Sequence, residues 1–190
     1  MNYSESTNRL QALRERITDL RKEMRTVQQS IEPQTVGDYS LTNAAGQKVN
    51  LAQLFGDKDT LFVIHNMGAG CSYCTLWADG FNGVYEHLND RAAFVVTSPD
   101  APDKQRKFAQ GRGWRFPMLS HAGTTFAQDM GYGEPGHWAP GVSVFKRRGG
   151  QIVRVSDTKL GPGDDFCNVW HFFDMIPEGS ADWRPKYNYG

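Results

Sequence analysis

Apolar residues recur along the N-terminal segment at spacings of 3, 4, 3, 4 and 3 (Leu10, Leu13, Ile17, Leu20, Met24, Val27). That rhythm traces one stripe of a helix turning at about 3.6 residues. It predicts a helix over residues 8–30, ended by Pro33, with Arg, Glu and Gln on the remaining face. The stripe suits packing on the chain's own domain or against a second copy, a homodimer through this helix. At under three heptads it is too short to define a free coiled coil.

Downstream the period changes. Asp38–Leu41 and Lys48–Leu51 predict a short hairpin around Asn43–Gly46, followed by one helical turn over Leu51–Phe55. Thr60–His65 and Ala92–Thr97 are short apolar runs with the composition of buried strands. Between them a helix is expected from Cys71 to about Asn89, with Gly80 and Gly83 as candidate kink positions. A polar helix over 103–112, an extended segment over 114–120 and a short helix over 124–130 follow. The Gly- and Pro-rich stretch 131–141 reads as a loop. Gly141–Lys146 and Gln151–Ser156 predict a second hairpin, and Asp164–Met175 a last helix with Asp164 or Asp165 as its cap.

This order is a β-α-β core followed by a β-hairpin and a helix. The crossover-linked strands imply a buried parallel segment, to which the hairpin adds antiparallel strands. It is the thioredoxin arrangement: an α/β, thioredoxin-like fold, a central mixed sheet flanked by helices, with an added N-terminal helix. The division expected is residues 1–32 for that helix, 33–178 for the thioredoxin-like domain and 179–190 for a tail.

Composition narrows the function. Lys plus Arg and Asp plus Glu each number 21, so the formal charge is zero. No strong global field favours nucleic acid or a membrane surface. No apolar run approaches the roughly 18 residues of a membrane helix. The polar start Met1–Arg9 lacks the pattern of a secretory leader. Three cysteines do not make a disulfide scaffold. A cytoplasmic protein with a working dithiol is the expectation.

That dithiol is Cys71-Ser-Tyr-Cys74, placed after a strand and the loop Gly68-Ala-Gly70, at the start of a helix. A helix N-terminus offers unpaired N–H groups and a partial positive charge, which favour thiolate over thiol. Cys71 is the candidate nucleophile and Cys74 the candidate resolving thiol. The run Pro140-Gly-Val-Ser-Val-Phe-Lys-Arg-Arg-Gly149 resembles the thioredoxin segment that carries a cis-proline opposite the dithiol. The resemblance implies that Pro140 is that cis-proline and docks substrate. It also implies that His137, three residues earlier, approaches the dithiol; as a loop histidine it reads first as a solvated side chain. His65 stands where thioredoxins carry a buried acid, six residues before the first cysteine. There it would serve as a proton relay, or as a satisfied core histidine.

A closer likeness spans nearly the whole chain. His65-x-Met67-Gly68, Cys71-x-x-Cys74-x-x-Trp77-Ala-Asp79-Gly80-Phe81, His87-Leu88, Ser98-Pro99, Gly113-Trp114-x-Phe116-Pro117, Gly141–Phe145 and Trp170-His-Phe-Phe-Asp174-x-x-Pro177 resemble the thioredoxin-like family catalogued as domain of unknown function 899. The likeness supports the fold and leaves the reaction open.

Three chemistries compete. Thiol–disulfide exchange is ranked first, with a disulfide-bearing protein or a low-molecular-weight thiol as partner and no cofactor. The segments Asp38–Leu41 and Gly46–Leu51 resemble peroxiredoxins, but their Pro-x-x-x-Thr-x-x-Cys is missing: Gly68 holds the threonine position. Peroxide reduction therefore ranks second. Cys71-x-x-Cys74 with Cys167-x-x-x-His171 would be a zinc set, within a non-enzymatic binding module. Trp77 and Trp138 are read as core or rim packing, or as an apolar docking surface beside the site.

Overall fold

The computed structural model describes residues 2–189. They divide into a unit ending at Gln34 and one beginning at Thr35. The first is dominated by α1 (Tyr3–Ser30). This helix begins five residues before the apolar stripe predicts, because a capping box starts it: Asn2 Oδ1 accepts from the Glu5 N–H and the Glu5 carboxylate accepts from the Asn2 N–H, each at 2.9 Å. None of its residues is buried, and all six stripe residues are exposed.

The second unit is built on one sheet. Its strands are β1 (Gln34–Val36), β2 (Ser40–Asn43), β3 (Lys48–Asn50), β4 (Thr60–His65), β5 (Ala93–Ser98), β6 (Met118–Ser120), β9 (Gly141–Arg148) and β10 (Gln151–Lys159). A separate ribbon pairs β7 (Gly133–Glu134) with β8 (His137–Trp138) inside the predicted loop. The order is β1-β10-β9-β4-β5-β6-β2-β3. β4, β5 and β6 run parallel, while β9 pairs antiparallel with β4. The crossovers are α2 (Ser72–Arg91) and α3 (Pro102–Arg112). The mixed α/β thioredoxin-like architecture expected from the sequence is the one observed.

Strand alternation divides the apolar side chains between two faces. Phe62 and Ile64 join a cluster with Cys74, Trp77, Phe81, Trp114 and Trp170. Leu61 and Val63 join the opposite one, with Phe126, Tyr132 and Phe145. This parity decides where every β4 side chain points.

The short helix α4 (Phe126–Asp129) follows β6, and the last helix is the six-residue α5 (Asn168–Phe173), shorter than predicted. Asp164 does not cap it. Its carboxylate instead accepts from the N–H groups of Gly161 and Phe166, each at 2.9 Å, closing a turn ahead of the helix.

Candidate active site

The sequence makes a reactive end on α2 in three steps. β4 is followed by Asn66, whose Oδ1 accepts the Gly68 N–H at 2.7 Å. Gly68 adopts φ +100°, and a Cβ there would lie 2.7 Å from Asp100 Oδ2. Only glycine suits both constraints. The chain then turns so that Ala69 donates to Asp100 Oδ2 at 2.6 Å and Cys71 donates to the Gly68 carbonyl at 3.1 Å. The loop amides of Gly68 and Ala69 are therefore spent on internal partners and do not form an open anion nest.

Cys71 is the N-cap of α2. Its sulfur accepts the Cys74 N–H at 3.1 Å, in the place an N-cap oxygen would occupy. Both cysteines are free; Cys71 is half-buried and Cys74 is buried. The Cys74 thiol donates to Cys71, and the amides of Cys74 and Tyr73 add to it, so the Cys71 thiol falls from 9.0 to about 7 against the opposing effect of burial. Cys74 moves the other way: its donation to Cys71, its burial and the charge on Cys71 all hold its proton on. The backbone N–H of Met67 lies 3.5 Å from the Cys74 sulfur. One thiol is poised as thiolate, and its neighbour is kept protonated behind it.

Pro140 lies at this end of the sheet. His65 and Gly141 are register partners, which sets Pro140 level with Asn66 on the next strand. Its peptide bond is trans, a correction to the cis expectation; no described peptide bond is cis. The approach is fixed otherwise, by Ala139 donating to the Tyr132 carbonyl and Leu160 to the Pro140 carbonyl, each at 3.0 Å.

His65 is not a relay for the dithiol. It shares the parity of Leu61 and Val63, so its ring lies on the sheet face opposite Cys74, stacked on Tyr132 at 3.9 Å and bonded to Ser143 Oγ at 2.9 Å. Trp77 is only 3% exposed, with Nε1 aimed at Asp164 at 3.4 Å, so it is core and offers no docking surface. Trp138 is half-buried against the His121 ring, and His137 is exposed on β8. The structure shows neither of them in contact with the cysteines.

The zinc set does not assemble. Cys167 is buried in the cluster beside the dithiol, but His171 is half-exposed, 3.6 Å from Asp165. Among the described residues no three His, Cys, Asp or Glu side chains converge.

Several residues of the site escaped the sequence reading. Asn66 and Asp100 fold the loop. Gln105 is buried and ties α3 to the sheet, donating to Ser98 Oγ at 2.7 Å and the Leu119 carbonyl at 3.0 Å. Asp79 of α2 receives Arg112 through two nitrogens and Trp114 Nε1 at 2.8 Å, locking α2 to α3. Their signal lay in the family-like segments around Trp77-Ala-Asp79 and Gly113-Trp114.

The fold and site together define a thioredoxin-fold protein with two free thiols at the N-terminus of the helix that follows a central strand. The chain belongs to the family described as bacterial protein of unknown function (DUF899), which it matches over residues 5–189. No curated protein matches it in sequence. Similar solved structures include peroxidoxin BcpB from Mycobacterium tuberculosis, at 26% identity and TM-score 0.59, covering 67% of this chain and 84% of that one. Peroxiredoxin Q from Xanthomonas campestris matches at 14% identity and TM-score 0.53, over 64% of this chain and 80% of that one. An uncharacterised thioredoxin-like protein from Porphyromonas gingivalis matches at 17% and 0.50, over 78% and 94%. The last two likenesses are of fold alone.

Proposed function

We propose that this protein is a dithiol–disulfide oxidoreductase. The observation that carries the reading is the asymmetry of the pair: Cys71 is half-buried with its thiol lowered to about 7, whereas Cys74 is buried with its proton held on. Exchange needs this division. The Cys71 thiolate attacks one sulfur of a substrate disulfide, forming a mixed disulfide and releasing the other sulfur as thiolate. Cys74 then loses its proton to solvent or to the departing thiolate and attacks Cys71. The Cys71–Cys74 disulfide forms and the second substrate thiol leaves. The substrate gains two electrons, the protein pair loses two, and an external dithiol or low-molecular-weight thiol restores the pair. The Met67 N–H beside the Cys74 sulfur supports charge there in the second step.

Peroxide reduction is the second reading, favoured by the likeness to the peroxidoxin. Cys71 would attack the O–O bond, release water or alcohol and become a sulfenic acid; Cys74 would condense with it and release water. It ranks below exchange because Gly68 brings no hydroxyl to the position of the peroxiredoxin threonine.

The test is single-turnover oxidation of the reduced protein by bis(2-hydroxyethyl) disulfide and, separately, by hydrogen peroxide. Faster oxidation by the disulfide, with a Cys71–Cys74 bond as product and no turnover in Cys71→Ser, is expected. Faster oxidation by peroxide selects the second reading. Failure of both oxidants to form that bond removes the enzyme reading and leaves a binding module.

A further inference from the structure

The helix α1 is longer than its apolar stripe. The stripe alone covers fewer than three heptads, but the helix runs for 28 residues, Tyr3–Ser30, which is four. In that register Tyr3, Leu10, Ile17 and Met24 take the a positions, and Ser6, Leu13, Leu20 and Val27 the d positions. Beside this seam stand Thr7, Arg14, Arg21 and Gln28 at e, and Arg9, Arg16, Glu23 and Ser30 at g. The six stripe residues are 42–67% exposed. A helix with every face in water gains little from propensity; its stability comes from packing an apolar face. Nothing within its own unit covers that face, since no residue of α1 is buried.

We propose that the seam pairs with α1 of a second copy of this chain, and that the two helices run antiparallel. Charge decides the direction. In a parallel pair each g residue faces the e residue of the partner's next heptad. Arg9 then meets the partner's Arg14 and Arg16 meets the partner's Arg21, each twice by symmetry, and no opposite charges face one another. In an antiparallel pair a packs against d, g faces g and e faces e. Setting Ile17 against the partner's Leu20 also sets Leu10 against the partner's Val27 and Leu13 against the partner's Met24, so every stripe residue meets an apolar one. Arg16 then lies beside the partner's Glu23, twice by symmetry, and only Arg14 and the partner's Arg21 remain as facing like charges. A slip of one heptad sets either Arg16 against the partner's Arg16 or Glu23 against the partner's Glu23 across the two-fold axis. Antiparallel helices also bring each positive N-terminus beside a negative C-terminus. The pairing does not depend on the exchange reading.

The experiment is sedimentation equilibrium of the reduced full chain at low salt, which reads both the mass and the dissociation constant. Wild type is expected at twice the chain mass, and Ile17→Asp, which puts a charge on the seam, at the mass of one chain. Any other wild-type mass, or a dimeric Ile17→Asp, overturns the proposal. Charge reversal on the exposed flank, where folding is not at risk, reads the direction. Arg16→Glu puts a carboxylate beside the partner's Glu23 and is expected to weaken the dimer roughly tenfold. Adding Glu23→Arg is expected to restore it. In a parallel pair Arg16→Glu would instead face the partner's Arg21 and tighten the dimer. An unchanged or tighter dimer in Arg16→Glu, or no recovery in the double variant, overturns the antiparallel pairing.

Discussion

The backbone N–H of Cys74 points at the sulfur of Cys71 from 3.1 Å, so the second residue of the pair stabilises the charge on the first through its main chain as well as its thiol. The two cysteines are therefore separable by experiment. In Cys74→Ser the backbone donor survives and the resolving thiol is gone. Reaction with bis(2-hydroxyethyl) disulfide is expected to stop at one mixed disulfide on Cys71, seen as a single adduct by intact-mass spectrometry. Cys71→Ser is expected to give no comparable adduct on Cys74, which is buried and protonated.

Gly68 and Gly70 flank Ala69 but answer to different constraints. Gly68 combines φ +100° with the close approach of Asp100, whereas a Cβ at Gly70 meets nothing within 4 Å. Gly68→Ala is expected to destabilise by about 1–3 kcal/mol and to slow Cys71 alkylation, because the loop must shift. Gly70→Ala is expected to be within about 0.5 kcal/mol of wild type in chemical denaturation.

His65 gives the stability a pH dependence. Burial, then the nearby charges of His121 and Arg154, lower its pKa from 6.5 to about 3. As pH falls below about 6.5 the unfolded chain takes up this proton and the folded chain does not. Stability is thus intact above that pH and is lost on descending toward 3, with a slope of up to about 1.4 kcal/mol per pH unit from this group. His65→Phe keeps a ring against Tyr132, and denaturant melts between pH 6 and 4 are expected to show a shallower slope. Exchange activity is expected to persist, since the ring lies across the sheet from the dithiol.

Asp79 holds α2 to α3 through Arg112 and Trp114. Asp79→Leu strands both donors at a partly buried junction and is expected to cost roughly 2 kcal/mol, read as a lowered denaturation midpoint.

The strand–loop–helix that carries the dithiol was legible because its signals are local. Four consecutive apolar residues (Leu61 to Ile64), a glycine loop and a cysteine at the N-cap lie within one short run, and β4 has the bounds that the run Thr60–His65 predicts. The side of the sheet on which His65 lies was harder to read. In a strand buried on both faces, composition alone does not show which parity meets α2. The resemblance to thioredoxin set Pro140 just before β9, where the register with β4 has it level with Asn66, but the cis isomer it implied is not found. Asp100 was invisible because its partner Ala69 lies 31 residues away, and the family-like segment that holds Asp79 gave no sign of Arg112, 33 residues further on. Polar residues in loops and tails carry no periodicity to report such contacts.

The central claim is that Cys71, alone among the three cysteines, is a thiolate near neutral pH. The direct measurement is the rate of iodoacetamide alkylation at each cysteine of the reduced protein, resolved by peptide mass spectrometry across pH. The structure predicts that Cys71 reacts fastest, with a midpoint near 7, while Cys74, held protonated by its donation to Cys71 and by burial, and Cys167, held protonated by burial, stay slow through the whole range. A Cys71 midpoint near 9, the ordinary cysteine value, or equal rates at Cys71 and Cys167 would contradict it.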